Sequence, residues 1–198
     1  GRVDYAEVAN NPEDPSAGTR RVPFGREVWV ERDDFMEVPE KKFFRMAPGQ
    51  EVRLRGACLF TCTHVLKDAA GAVAEIHGTY DPASKGGNAA DGRKIKGTIH
   101  WVSAAHAVRV PVRLYDRLFT VPDPLGDPSR DFLDFMNPDS LKTVTAYGEP
   151  ALADAKPGER FQFERVGYFC ADTRESKPGA PVFNRTVTLK DSWAKANK

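Results

Sequence analysis

The chain is poor in the residues that most chemistry needs. Its three cysteines are too few and too widely spread for a disulfide framework or a zinc site. Cys58 and Cys62 are four apart on an expected strand, and Cys170 is distant, so all three read as reduced thiols of a cytosolic protein. No run of about 18 apolar residues is present, which excludes a membrane-spanning helix. No charged-then-apolar leader opens the sequence. Neither sign of charge is in excess: Lys+Arg 29 against Asp+Glu 28 gives a net +1. A nonspecific DNA binder would be more basic, so any nucleic-acid site must come from local clustering. The sequence also lacks G-x-S-x-G, a phosphate-cradling G-x-x-x-x-G-K-S/T and H-E-x-x-H. Its carboxylates are scattered. His100 and His106, and His64 and His77, read as structural pairs rather than acid–base or metal groups. Composition and motifs together argue against catalysis within these residues.

What is present is β-structure. The 198 residues are 40% hydrophobic and 29% charged, enough to fold and long enough for two compact domains. Gly 16 and Pro 15 suit many turns. Residues 1–24 carry three prolines after Asn11 and read as an extended connection. In GREVWVERDDF, Val28 and Val30 share one face and Trp29 takes the other. EVRLRGACLFTCTHVLKD reads as one long strand, with Val52, Leu54, Cys58, Phe60 and Cys62 of one parity. AVAEIHGTYD returns as its hairpin partner, placing His77 across from His64. The stretch 94–121 supplies further strands, with Val110, Val112 and Leu114 on one face. A short helix is expected around Phe132–Met136, and LKTVTAYGEP, RFQFERVGYFCAD and PVFNRTVTLKD add three strands. Many short strands with turns between them predict an all-β chain of barrels or sandwiches. The expected division is 25–98 and 99–198, with strand exchange between the two allowed.

Against that apolar pattern, two places carry hydrogen-bond donors. Arg53 and Arg55 in EVRLR share a strand parity, about 7 Å apart by strand rise. Arg45 ends KKFFR beside Phe43 and Phe44. Guanidinium groups next to aromatics can stack bases and clamp phosphates, although a solvated strand face and plain core packing explain the same residues. The second place is FQFER, where Gln162 and Arg165 interrupt a core strand. Amide and guanidinium groups suit the edges of unpaired bases. Their parities are opposite, so a bulge or a strand end near Val166–Gly167 is required to bring them together. From the residues alone, the chain is a two-domain β-protein with the marks of an RNA-binding module.

Several blocks go further. RVPFGREVWVERDDF, EVRLR, TYD, DGRKIKGTIHWVSAAHAV, VRLYDRLFTVPDP, FQFERVGYFCAD and PVFNRTVTLKDSWAK resemble, in order, the C-terminal anticodon-binding part of the bacterial glutaminyl-tRNA synthetases. The match runs from about residue 10 to residue 195. KGTIHWVSAAHAV and VRLYDRLF are shared with the related glutamyl enzymes, while the FQFER block leans to the glutaminyl side. A glutamyl-type synthetase and a ribosomal-protein-like RNA-binding barrel are the alternatives. The resemblance implies two β-barrels that grip the anticodon loop of glutamine tRNA. It implies that Arg53 and Arg55 handle the first anticodon base and its backbone, Gln162 and Arg165 the central uracil, and Arg45 the third base, a guanine. Phe44 stands where the family can have a basic contact, and Lys42 where a glutamine can serve. The resemblance further implies a class I ligase that uses ATP and Mg²⁺, with its catalytic domain outside these residues. The chain itself would then hold no cofactor and be inactive alone. A cytoplasmic monomer with no DNA or membrane partner completes the expectation.

Overall fold

Alternating apolar residues pay off only when one strand face is covered, and the chain meets that condition in two separate units. The computed structural model describes residues 3–189. The first unit runs to Ala107 and the second starts at Val108. All regular structure among the described residues is strand or short 3₁₀ turn.

In the first unit the strands are β1 (Asp4–Ala9), β2 (Thr19–Phe24), β3 (Val28–Val30), β4 (Glu51–Leu54), β5 (Cys58–Lys67), β6 (Val73–Asp81), β7 (Thr98–Ile99) and β8 (Trp101–Ser103). β1 and β2 form an antiparallel hairpin, and β3 pairs with β8. The remaining four form an open sheet in the order β6-β5-β4-β7, with β4 and β7 parallel. The core gathers Ala6, Val22, Val52, Leu54, Cys58, Cys62, Ile99 and Trp101. Trp101 meets Phe24 edge-on at 5.0 Å and donates its indole N–H to the Arg55 carbonyl at 3.0 Å.

Three expectations are corrected here. Residues 1–24 are not an extended connection, because Ala6 and Val22 place the β1–β2 hairpin in the core. The long strand from Glu51 is two strands: the Ala57 amide closes a turn on the Leu54 carbonyl, and Gly56 takes a left-handed φ of 69°. That turn lets the chain reverse so that Val52 faces Phe60. Residues 99–107 lie in the first unit, since β7 and β8 pair with β4 and β3. The β5–β6 hairpin forms as read, with His64 opposite His77 and the rings edge-on at 6.4 Å.

The second unit holds β9 (Val108–Tyr115), β10 (Leu141–Gly148), β11 (Arg160–Phe163), β12 (Gly167–Ala171) and β13 (Phe183–Thr188). They form one open five-stranded sheet in the order β10-β9-β13-β12-β11, with β13 and β9 parallel and the other pairs antiparallel. FQFERVGYFCAD is therefore a hairpin rather than a single strand. Val110, Val112, Phe169, Ala171 and Phe183 form its core, with Phe161 and Phe163 packed on them. The short helix expected near Phe132 is a 3₁₀ turn over Phe132–Phe135, capped by the Asp131 carboxylate on the Leu133 amide. The class is all-β as read, and in both units the sheets are open rather than closed barrels.

All three cysteines are free. Burial, with the Asp81 charge as a smaller cause, pushes the Cys58 thiol up to about 11, and burial raises Cys62 as well. A thiol held neutral at ordinary pH is a poor nucleophile. Timed alkylation at pH 8 should therefore modify half-buried Cys170 first, and Cys58 and Cys62 only as the protein unfolds. Equal labelling of all three in the native state would contradict the packing of the first core.

Candidate nucleic-acid interface

In the first unit the donor-rich surface is built on an irregular segment. Residues 35–46 hold no regular strand, but the Met46 amide donates to the Asp34 carbonyl at 2.9 Å and Phe35 bridges Met46 in parallel. Those bonds fix Arg45. Its Nη1 donates to the Asp33 carbonyl at 2.9 Å and lies 3.3 Å from an Asp34 carboxylate oxygen. Asp34 is only 3% exposed, so Arg45 is partly committed to a buried charge.

Beside it, Phe44 is 50% exposed, and the Lys96 ammonium sits 4.9 Å from its ring centroid. The segments come this close because residue 97 is glycine: a Cβ there would fall 2.2 Å from the Phe44 carbonyl oxygen. Together they line a groove of about 480 Å³ carrying Lys41, Lys42, Arg45, Lys94 and Lys96. Glu40 and Glu51 also line it, but both oxygens of Glu51 accept from Arg93, at 2.9 and 2.7 Å. That hydrogen bonding holds Glu51 below the usual carboxylate range and masks its charge. The groove is thus cationic with one exposed aromatic face. This combination suits a phosphate chain and a stacked base.

The two arginines of EVRLR diverge. Arg53 lies on the outer face of β4, between buried Val52 and Leu54. Its Nε donates to the Gly87 carbonyl and its Nη1 to the Thr98 hydroxyl at 3.3 Å. Its side chain therefore ties strand to loop. Arg55 follows the strand, with its amide on the Ile99 carbonyl at 3.1 Å and its own carbonyl held by Trp101. The backbone of Arg55 is clamped, while its side chain is half-exposed.

In the second unit, Phe161 and Phe163 turn inward, and Arg160 and Gln162 face out. The strand ends at Phe163, whose carbonyl accepts from the Val166 amide at 2.9 Å in a tight turn. Arg165 lies in that turn with a left-handed φ of 63°. It is thereby freed from the strand alternation that set it opposite Gln162. The Gln162 side-chain amide has no hydrogen-bond partner among the described residues, so all its donor and acceptor capacity faces solvent.

Sequence reasoning missed two features. Tyr168 pairs across the hairpin with Gln162 and is 47% exposed. It could have been found by counting residues back from the turn. The other feature is the network around Asp172. Its carboxylate accepts from Asn184 at 2.7 Å and from the Arg174 and Glu175 amides at 2.8 Å each, and lies 3.4 Å from Arg113. Those hydrogen bonds, Asn184 first, hold it down at about 2. The two amides belong to a local turn, but Asn184 and Arg113 lie 12 and 59 residues away, and nothing in the local pattern announces them. Among the described residues no cluster of His, Cys, Asp and Glu could hold a metal, and no helix is long and apolar enough to cross a membrane.

Two family models match, both described as the anticodon-binding domain of class I tRNA synthetases (E and Q). One covers residues 1–81 and the other residues 98–172. The chain is 56% identical over 98% of its length to a glutamine–tRNA ligase of Nitrobacter hamburgensis. It is 54% identical to that of Cupriavidus metallidurans and 52% identical to that of Vibrio parahaemolyticus, over 98% of the chain in each case. The chain spans about a third of the length of these curated relatives, 34% of the first and 35% of the last. Two β-units that present guanidinium or amide groups outward, and two family models of this description that together span most of the sequence, make this chain a member of the anticodon-binding domains of the class I tRNA synthetases for glutamate and glutamine.

Proposed function

We propose that this chain reads the anticodon of glutamine tRNA for a longer protein that joins glutamine to that tRNA, using ATP and Mg²⁺ in a catalytic part beyond these residues. The chain supplies recognition and no chemistry of its own, and the protein works as a cytoplasmic monomer. The observation that carries the reading is the Gln162 amide, which is exposed and unpaired among the described residues on the outer face of β11. An amide offers one donor and one acceptor side by side, the complement of a uracil edge. Arg165 at the adjoining turn adds charge near the same base. In the first unit, Arg45 in its cationic groove suits a guanine, which accepts two hydrogen bonds from a guanidinium. Arg55 suits the first base and its phosphate.

The test is titration of the intact protein with a glutamine-tRNA anticodon stem-loop, beside the same loop with its central uracil changed to cytosine. The native loop should bind more tightly, and Gln162→Ala should erase about a tenfold part of that preference. Equal loss of affinity for both loops on Gln162→Ala would remove Gln162 from base reading. Equal binding of both loops by the unaltered protein would remove the anticodon assignment as a whole.

A further inference from the structure

An amide that reads the edge of a splayed base leaves both faces of that base in water. Burying one face on an aromatic ring strengthens binding about tenfold or more per base, so a site that reads only the edge forgoes a large part of its affinity. The second unit carries such a ring. Tyr168 stands directly opposite Gln162 in the β11–β12 register, and both side chains are exposed. Opposed residues on one sheet face have Cβ atoms about 5 Å apart, within reach of a single base.

The ring is also unclaimed. Neither the Tyr168 hydroxyl nor its ring has a partner among the described residues. The other exposed tyrosines of the unit are occupied. The Tyr115 hydroxyl donates to the Asn184 side chain at 3.3 Å, and the Tyr147 ring lies under Arg109 at 5.9 Å. Tyr168 alone among these three pairs an unused ring with an unused amide.

The backbone around it is fixed. Tyr168 faces Val187 and Phe169 faces Arg185, so Thr186 is an extra residue in a bulge at this point. A bulge re-aims the side chains beside it. The Thr186 hydroxyl holds this one by donating to the Tyr168 carbonyl at 3.1 Å. The neighbouring Gly167 cannot carry a side chain, because a Cβ would lie 2.6 Å from the Val187 carbonyl oxygen. Below the strand, Phe169 stacks on Phe163 at 4.2 Å. Arg160, two residues before Gln162 on the same face, is exposed and supplies a cation for the phosphate of the same nucleotide.

We propose that Tyr168 is a base-stacking residue, holding by its face the unpaired pyrimidine whose edge Gln162 reads. The proposal rests on the anticodon reading above. Gln162 then sets which base is accepted, and Tyr168 sets how tightly any flat base is held.

The experiment uses the intact protein and three anticodon stem-loops, with uridine, cytidine or dihydrouridine at the central position. Dihydrouridine keeps the hydrogen-bonding edge of uridine but has a puckered ring that stacks poorly. The unaltered protein should bind it about tenfold more weakly than uridine. Tyr168→Phe should keep that difference. Tyr168→Ala should weaken uridine binding about tenfold and abolish the difference from dihydrouridine. Equal affinity of the unaltered protein for uridine and dihydrouridine, with uridine still preferred over cytidine, would overturn the stacking role and leave the anticodon reading standing. No preference among the three loops would overturn both. The dihydrouridine comparison on the unaltered protein needs no variant to fold.

Discussion

Replacing Phe169 by alanine should destabilise the second unit by about 3–5 kcal/mol. Its side chain is 1% exposed and lies at the centre of a group of phenylalanines. Phe163 stacks on it at 4.2 Å, and Phe163 and Phe161 meet Phe183 edge-on at 5.3 and 5.6 Å. Removing the central ring loses its transfer free energy and leaves a cavity that three other rings cannot all relax to fill. A single domain has only about 5–15 kcal/mol in total, so the loss is a large share. Urea unfolding should show it directly, and hydrogen exchange should speed up at the amides of β11 to β13. Phe169→Leu keeps more of the volume and should cost less. A loss below about 1 kcal/mol for the alanine variant would mean that the ring cluster does not hold the hairpin.

The same variant should weaken RNA binding without touching RNA. Phe169 points into the core, while Tyr168 before it points out. The two residues show how one strand divides its labour. The inward parity anchors the hairpin, and the outward parity presents Gln162 and Tyr168. An anticodon stem-loop titration of Phe169→Ala should therefore show lost affinity for uridine and cytidine loops alike, unlike the base-selective loss expected for Gln162→Ala.

That division is also why much of this chain could be read from its sequence. Phe161, Phe163, Val110 and Val112 announce their strands by period-two alternation, because a half-covered sheet requires it. Turns were harder. Gly56 reverses the chain inside a stretch whose apolar parity continues unbroken from Leu54 to Cys58, so the alternation alone could not reveal the break. At the second hairpin Arg165 does break the apolar parity, so a bulge or strand end near Gly167 was legible there, but not the choice of a full reversal. The N-terminal hairpin was hidden by prolines in its loop, although Ala6 and Val22 carry it into the core. In the candidate site, residue type and spacing singled out Gln162, Arg165 and Arg45. Alone they did not show the Tyr168 pairing, which follows only once the Phe163–Val166 turn is placed. Nor could they show that Phe44 and Lys96 share one groove, since more than fifty residues separate them. Nothing local distinguishes Arg53 from Arg55; only the loop that folds over Arg53 does.

Arg53→Ala is the second large effect expected, and it should appear first as lost stability, by about 2–3 kcal/mol, before any RNA is added. The guanidinium joins three segments. It lies on β4, donates through Nε to the Gly87 carbonyl, and reaches the Thr98 hydroxyl on β7 through Nη1. The loop it holds is tightly built. Ser84 is fully buried, accepts from the Leu59 amide at 2.8 Å and donates to the Asp81 carbonyl at 2.6 Å. Gly87 is pressed against the arginine stem, so that a Cβ there would lie 2.8 Å from the Arg53 Cγ, and its φ of +86° is one that side-chain-bearing residues rarely adopt. Alanine at position 53 leaves the Gly87 carbonyl without its donor and the loop without its tie. Arg53→Lys should recover only part of the loss, because a single ammonium cannot reproduce a planar fork aimed at two separate acceptors. Gly87→Ala supplies the matching control, since it strains the same contact and keeps the positive charge. If the arginine acts mainly as a tie, Gly87→Ala should reproduce most of the stability loss and most of the fall in stem-loop affinity seen for Arg53→Ala. Unchanged urea unfolding of Arg53→Ala, together with a sharp loss of RNA affinity, would instead assign the whole of Arg53 to the RNA. The expected order, stability first and binding as its consequence, follows from a guanidinium whose Nε and one Nη are already spent on the protein.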